Sequence, residues 1–172
     1  MTSQGVIKTK SKPNVAQCIQ ISITLKSLLL NDTLFLSKII ESYNQQGESG
    51  IYRKFQDGSK YKSFRFEWDG KNILVFIQLY ADGVGLTNPL ASAATEHNST
   101  MFYFLVNNLD PKFYASLSNL HLVSMCNFVD LKYDDGQDIL LEAIVDDLLS
   151  LETDGFEINI PSRGTFKVKA VL

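Results

Sequence analysis

The sequence predicts a mixed α+β domain, on three observations. A continuous apolar run from Asn72 to Tyr80 has strand length and a composition rich in β-branched and aromatic residues. Shorter strand-like segments follow it at Met101 to Val106 and Leu120 to Cys126. One long amphipathic helix, Gln137 to Thr153, separates these from two last strands. A chain of 172 residues can bury one substantial core, so one domain with an N-terminal appendage is expected.

Each element has a local cause. Residues 1–16 read as a flexible basic tail, polar apart from a few residues and carrying Lys8, Lys10 and Lys12 ahead of Pro13. Residues 17–45 form a helical N-terminal segment. Ile21, Leu25, Leu28 and Leu29, then Leu34, Leu36, Ile39 and Ile40, recur at helical spacing, and Asn31-Asp32 divides them with a capping sequence. The β-branched stretch Cys18 to Thr24 keeps a strand open there as an alternative. Residues 46–62, with Gly47, Gly50 and Asp57-Gly58, have the composition of an exposed linker.

The core is expected over 63–172. Asp69-Gly70 predicts a hairpin that pairs Ser63 to Trp68 with the central apolar run. The long helix carries Leu140, Leu141, Ile144, Leu148 and Leu151 on one stripe, with Asp138, Glu142, Asp146, Asp147 and Glu152 elsewhere. Asp134 or Asp135 is its expected cap and Asp154-Gly155 its left-handed stop. Phe156 to Ile160 and Thr165 to Leu172 read as a closing hairpin. Because a core strand rarely ends a domain uncovered, the end at Leu172 reads as a truncation.

Composition narrows the function classes. A net charge of -3 excludes a chain whose whole surface holds a polyanion, while leaving room for a local basic patch. Arg53, Lys54, Lys60, Lys62 and Arg65, interleaved with Tyr52, Phe55, Tyr61 and Phe64, form such a patch and are the candidate nucleic-acid contacts. The competing reading is a solvated loop whose aromatics cover the core edge. No stretch of Met1 to Asn14 has the apolar run of a secretory signal, so a location in cytosol or nucleus is expected. No apolar run reaches the ~20 residues that cross a bilayer. Cys18 and Cys126 lack metal or disulfide spacing and are expected to be reduced, buried thiols. His97 and His121 have no Cys or second His at ligand spacing.

The chemically sharpest position is Asp82, in Leu79-Tyr-Ala-Asp-Gly83 just past the most hydrophobic segment. A carboxylate fixed by a central strand is what a hard divalent cation needs, although Asp-Gly also makes an ordinary turn. The order of three strands, a long helix and a further strand is also the opening of a ribonuclease-H-like fold. Gln78-Leu-Tyr80, Asp82, Asn88-Pro-Leu90 and Ser92 resemble a group of uncharacterised animal proteins related to the transposases of CACTA-type DNA elements. Phe102-Tyr-Phe104, Asn108-Leu, Pro111-Lys, Asn119-Leu-His-Leu-Val123, Asp146-Asp-Leu148 and Leu151-Glu-Thr-Asp-Gly155 continue the likeness in order. Gly83, Val84 and Ala91 depart from it, since the group shows an acidic residue and an aromatic after the aspartate and a glycine at the third position.

The resemblance implies the N-terminal portion of a ribonuclease-H-like domain: a three-strand antiparallel meander, a long helix and a further central strand, preceded by a small helical segment. It also implies descent from a metal-dependent DNA nucleotidyl transferase or nuclease, with Mg²⁺ or Mn²⁺ in the complete domain and Asp82 as metal ligand and catalytic residue. Its second carboxylate is expected at or beyond Leu172, so this chain alone is not expected to cut or join DNA. The alternative is a domesticated module without catalysis that binds DNA, or a protein through its N-terminal helices. Neither reading fixes an oligomeric state.

Overall fold

The computed structural model describes residues 17–44, 50–65, 70–85, 98–113, 116–132, 135–161 and 163–172, with 64 and 65 by backbone alone. The basic tail, Glu67 to Asp69, the Asn88 to Ser92 phrase, His97 and Asp134 lie outside the described residues. Two residues, Gln17–Cys18 (β1), open the fold, and the expected helices follow as Ile21–Asn31 (α1) and Thr33–Asn44 (α2). Asp32 separates them as the sequence suggests. Its Oδ1 accepts from the N–H of Leu34 at 2.9 Å and of Phe35 at 3.0 Å, meeting two donors the first turn of α2 leaves without helical partners.

The stretch expected to be a linker contains structure. A 3₁₀ turn over Phe55–Asp57 leads into a short helix, Ser59–Arg65 (α3), so Ser63 to Arg65 end a helix rather than start a hairpin strand. Burial explains the difference. Tyr61 and Phe55 pack against Phe76 of the sheet at ring distances of 5.2 and 4.9 Å, an anchor that the polar composition conceals.

Next come Asn72–Gly85 (β2), Asn98–Val106 (β3) and His121–Asn127 (β4), an antiparallel meander as expected. Gly136–Thr153 (α4) precedes Phe156–Ile160 (β5) and Gly164–Val171 (β6). The sheet is mixed and runs β1-β4-β3-β2-β6-β5. The strand that joins β2 in parallel is therefore β6, while β5, the first after the helix, is at the edge.

Alternation along β2 assigns the two sides of the sheet. Ile73, Val75 and Ile77 share a face with Val168 and Ala170, and this face joins Leu25, Ile39 and Ile144 of the helices in the main core. Leu74, Phe76, Tyr80, Asp82 and Val84 face the other way, toward α3 at one end. Two glycines are sterically required. Gly155 has φ +65°, and a Cβ there would meet the Val168 carbonyl oxygen at 2.1 Å, so the left-handed stop of α4 is also a close backbone crossing. At Gly136 a Cβ would lie 2.3 Å from the Asp130 carbonyl oxygen.

One of the two residues expected to cap α4 is in position. Asp135 stands at the N-cap of α4 without a side-chain capping bond. Asp147, expected on the solvated side of α4, accepts instead from the Ser22 hydroxyl at 2.6 Å and the Ser22 N–H at 3.2 Å, and so caps α1 across the fold. Among the described residues, no helix is long and apolar enough to cross a membrane.

Candidate functional site

Asp82 lies inside β2, opposite Met101 of β3, because the strand continues to Gly85 instead of ending at Tyr80. Its side chain is exposed. Together with Val84, Met101, Tyr103, Leu120 and Leu122 it lines an open groove of about 330 Å³. Beside it Tyr80 and Tyr103, a cross-strand pair, stack with ring centroids 5.4 Å apart and planes 11° from parallel. One carboxylate thus stands in a surface that is otherwise apolar and aromatic.

The parallel ladder fixes Asp82 relative to the closing strand. Its final pair is Phe76 with Val171, so Asp82 lies six residues beyond the last β6-paired position of β2. At the usual strand rise, six residues span about 20 Å. Asp82 and Leu172 are therefore not neighbours in the sheet, although β2 and β6 are adjacent strands. Among the described residues, no group of three or more His, Cys, Asp or Glu is arranged to hold a metal ion.

His121 lies one position along β4 from Leu122, paired with Phe104, whose ring centroid is 5.0 Å away. Burial lowers its pKa below the ordinary histidine value, so the ring is held neutral as a core-edge group. Cys126 is buried as expected, and burial raises its thiol pKa. Cys18 is exposed, against expectation, because β1 is a two-residue edge strand; its thiol faces the Ser124 hydroxyl at 3.5 Å. Asp135, Asp138 and Glu142 are exposed along the start of α4.

The basic candidates fall on two sides of Asp57. Arg53 and Lys54 give their backbone N–H groups to Asp57 Oδ2 at 2.7 and 3.0 Å. The Arg53 N–H is the main reason the Asp57 carboxyl titrates below the ordinary aspartate value. On α3, Lys60 Nζ donates to the Leu172 carbonyl oxygen at 3.2 Å, and Lys62 Nζ stands 5.8 Å from the centre of the Tyr52 ring. Arg65 closes α3. Two cations absent from the expected set join this side: Lys167 and Lys169 pair with Asn72 and Leu74, on the same sheet face as Phe76. Strand alternation in Thr165 to Leu172 could have put them on one face, but not next to α3.

No protein-family model matches this chain, and a search of curated proteins finds no relative.

A second polar cluster was not foreseen at all. Where β3 turns away from β2, the side chains of Asn108 and Tyr43 take over its role. Asn108 Oδ1 accepts from the Phe76 N–H at 2.7 Å and its Nδ2 donates to the Leu74 carbonyl at 3.1 Å. The Tyr43 hydroxyl accepts from the Leu74 N–H at 2.7 Å and donates to the Leu74 carbonyl. Gln56 Nε2 then holds the Asn107 and Asn108 carbonyls at 3.1 and 2.9 Å. Burial raises the Tyr43 pKa well above its ordinary value, so the hydroxyl stays protonated. This cluster is architecture: Asn108, the Tyr43 hydroxyl and the Gln56 Nε2 serve backbone that would otherwise be buried without partners, while the Gln56 Oε1 is buried without one.

Proposed function

We propose that the chain is a ribonuclease-H-like domain of transposase descent that serves as a binding module and does not itself cut or join DNA. The fold half of this reading is supported by a central β2 flanked by antiparallel β3 and parallel β6, with α4 between the meander and the closing strands. The descent half rests on the resemblance of the phrases from Gln78 to Gly155.

The functional half rests on one observation, the surroundings of Asp82. Mg²⁺ and Mn²⁺ take several oxygen ligands, and two-metal phosphoryl transfer needs carboxylates that clamp both ions. Val84, Met101, Tyr103, Leu120 and Leu122 offer no hard oxygen donor from their side chains except one phenol. The described residues around Asp82 do not fit such an ion. They suit contact with an apolar or aromatic partner group, with Asp82 as a single polar anchor.

Titration of Mn²⁺ into the protein and its Asp82→Asn variant, followed by calorimetry, tests the reading. Indistinguishable isotherms are expected. A site lost on Asp82→Asn, accompanied by Mn²⁺-dependent nicking of plasmid DNA by the unaltered chain, would refute it and restore the strand-transferase reading.

A further inference from the structure

The fold collects a positive surface that chain order disperses. Lys167, Lys169 and Val171 lie in register with Asn72, Leu74 and Phe76, and so share one sheet face. Phe55 and Tyr61 stand on Phe76, and Lys60 reaches the Leu172 carbonyl, which sets α3 over the end of β6. The helix carrying Lys60 and Lys62 thus lies on the sheet face that bears Lys167 and Lys169, far along the chain. The carboxylates of α4 are kept apart from them. That helix packs against β6 through the opposite face, where Val168 and Ala170 are buried with Leu140 and Ile144, and exposes Asp138, Glu142, Asp146 and Glu152 to solvent. Glu157 of β5 pairs with Lys167 and is the one carboxylate of the neighbouring strand on this face, so among the described residues a net charge of -3 conceals a side on which cations outnumber carboxylates and an acidic side along α4.

We infer that the surface formed by α3, the turn before it and the outer face of β6 binds single-stranded nucleic acid. Lysines on an extended strand, two residues and about 6.6 Å apart, can follow successive phosphates. The choice of a single strand comes from Tyr52. It is 74% exposed, and Lys62 stands near its ring, so an aromatic face is available beside cations. Stacking on that face needs an unpaired base, which neither a duplex, an acidic peptide nor a lipid headgroup supplies. The inference rests on the reading of the chain as a binding module, yet it uses a surface distinct from the Asp82 groove.

The test is anisotropy of a labelled oligothymidylate with the whole chain over a range of salt. Replacing Lys62, Lys167 and Lys169 by Gln together should weaken binding at least about tenfold near 0.1 M salt and flatten the log–log salt slope by about 2, at ~0.7 per phosphate contact. Replacing Lys26, Lys112 and Lys132 by Gln removes the same charge from elsewhere and should leave affinity unchanged. Tyr52→Ala should weaken oligothymidylate binding about tenfold, through lost stacking, without altering binding to heparin. Thermal midpoints of the variants check that they fold. No binding by the unaltered chain, equal losses in the two triple variants, or no response to Tyr52→Ala would each overturn the inference. So would preferred binding of an acidic peptide or anionic vesicles. An Asp82-dependent metal site would instead overturn only the non-catalytic reading, so the two failures are distinguishable.

Discussion

The two halves of β2 use the same kind of strand for opposite ends. From Ile73 to Phe76 it is flanked by β6 on one edge and by Asn108 and Tyr43 on the other, and Ile73, Val75 and Phe76 are buried, as is Ile77 where pairing with β3 begins. From Gln78 to Gly85 it pairs with β3 alone among the described strands, and its side chains are exposed or half-buried. The first half is held by packing and by polar groups with no solvent to fall back on. The second half presents Tyr80, Asp82 and Val84. A strand can thus anchor a core and offer a surface, provided the two tasks occupy different lengths of it.

The contrast predicts a gradient of mutational effects. Asn108→Ala should cost the most, about 3 kcal/mol, because the Phe76 N–H and Leu74 carbonyl lose a buried partner and each such loss costs ~1–3 kcal/mol. Urea denaturation reads this directly, and a loss below ~1 kcal/mol would mean the cluster does not hold the strand. Tyr43→Phe should cost about 2 kcal/mol at neutral pH, through the Leu74 N–H. Its pH dependence has a definite sign. Burial raises the folded pKa above the ordinary 10.0, so the contribution is complete below pH 10 and fades as pH rises toward the folded value. The stability gap between wild type and Tyr43→Phe should therefore narrow above pH 10, and a gap that widens there would contradict the burial of the hydroxyl.

Asp57→Asn comes next. The folded carboxyl titrates below the ordinary 3.8, so its stabilisation is present above that value and disappears as pH falls through the folded pKa. Thermal midpoints of wild type and variant should differ at neutral pH and converge in acid. Parallel melting curves at every pH would show that the Arg53 and Lys54 N–H groups do not depend on the charge. Smallest of all should be Asp82→Asn, within about 0.5 kcal/mol of wild type, as for exposed positions without structural partners. A larger loss would make Asp82 part of the framework rather than of the surface.

The elements with strong periodicity were legible in the sequence. The meander, α1, α2, α4 and the last two strands were all expected from their apolar spacing and turn residues, and Asp32 and Gly155 act as expected. What escaped depends on partners distant in the chain. Tyr61 sits among lysines and serines, and only Phe76 reveals why α3 is a helix against the sheet. Asp147 looks solvated until Ser22 is brought to it. At the candidate site the central strand next to Asp82 was legible, whereas its continuation through Asp82 to Gly85 and the distance of Asp82 from β6 depend on pairing with β3 and on a parallel register that no local pattern encodes. Lys167 and Lys169 were hidden for the same reason.

The side chains that finish the ladder of β2 also have a role in alignment. An uninterrupted apolar strand has little in its own pattern to forbid sliding by two residues, since such a shift keeps every side chain on its proper face. Asn108 and Tyr43 converge on the N–H and carbonyl of Leu74 and on the N–H of Phe76. They work as a detent: displacement by a single pleat would break several directional bonds at once, and the exposed end of the strand therefore always displays the same residues.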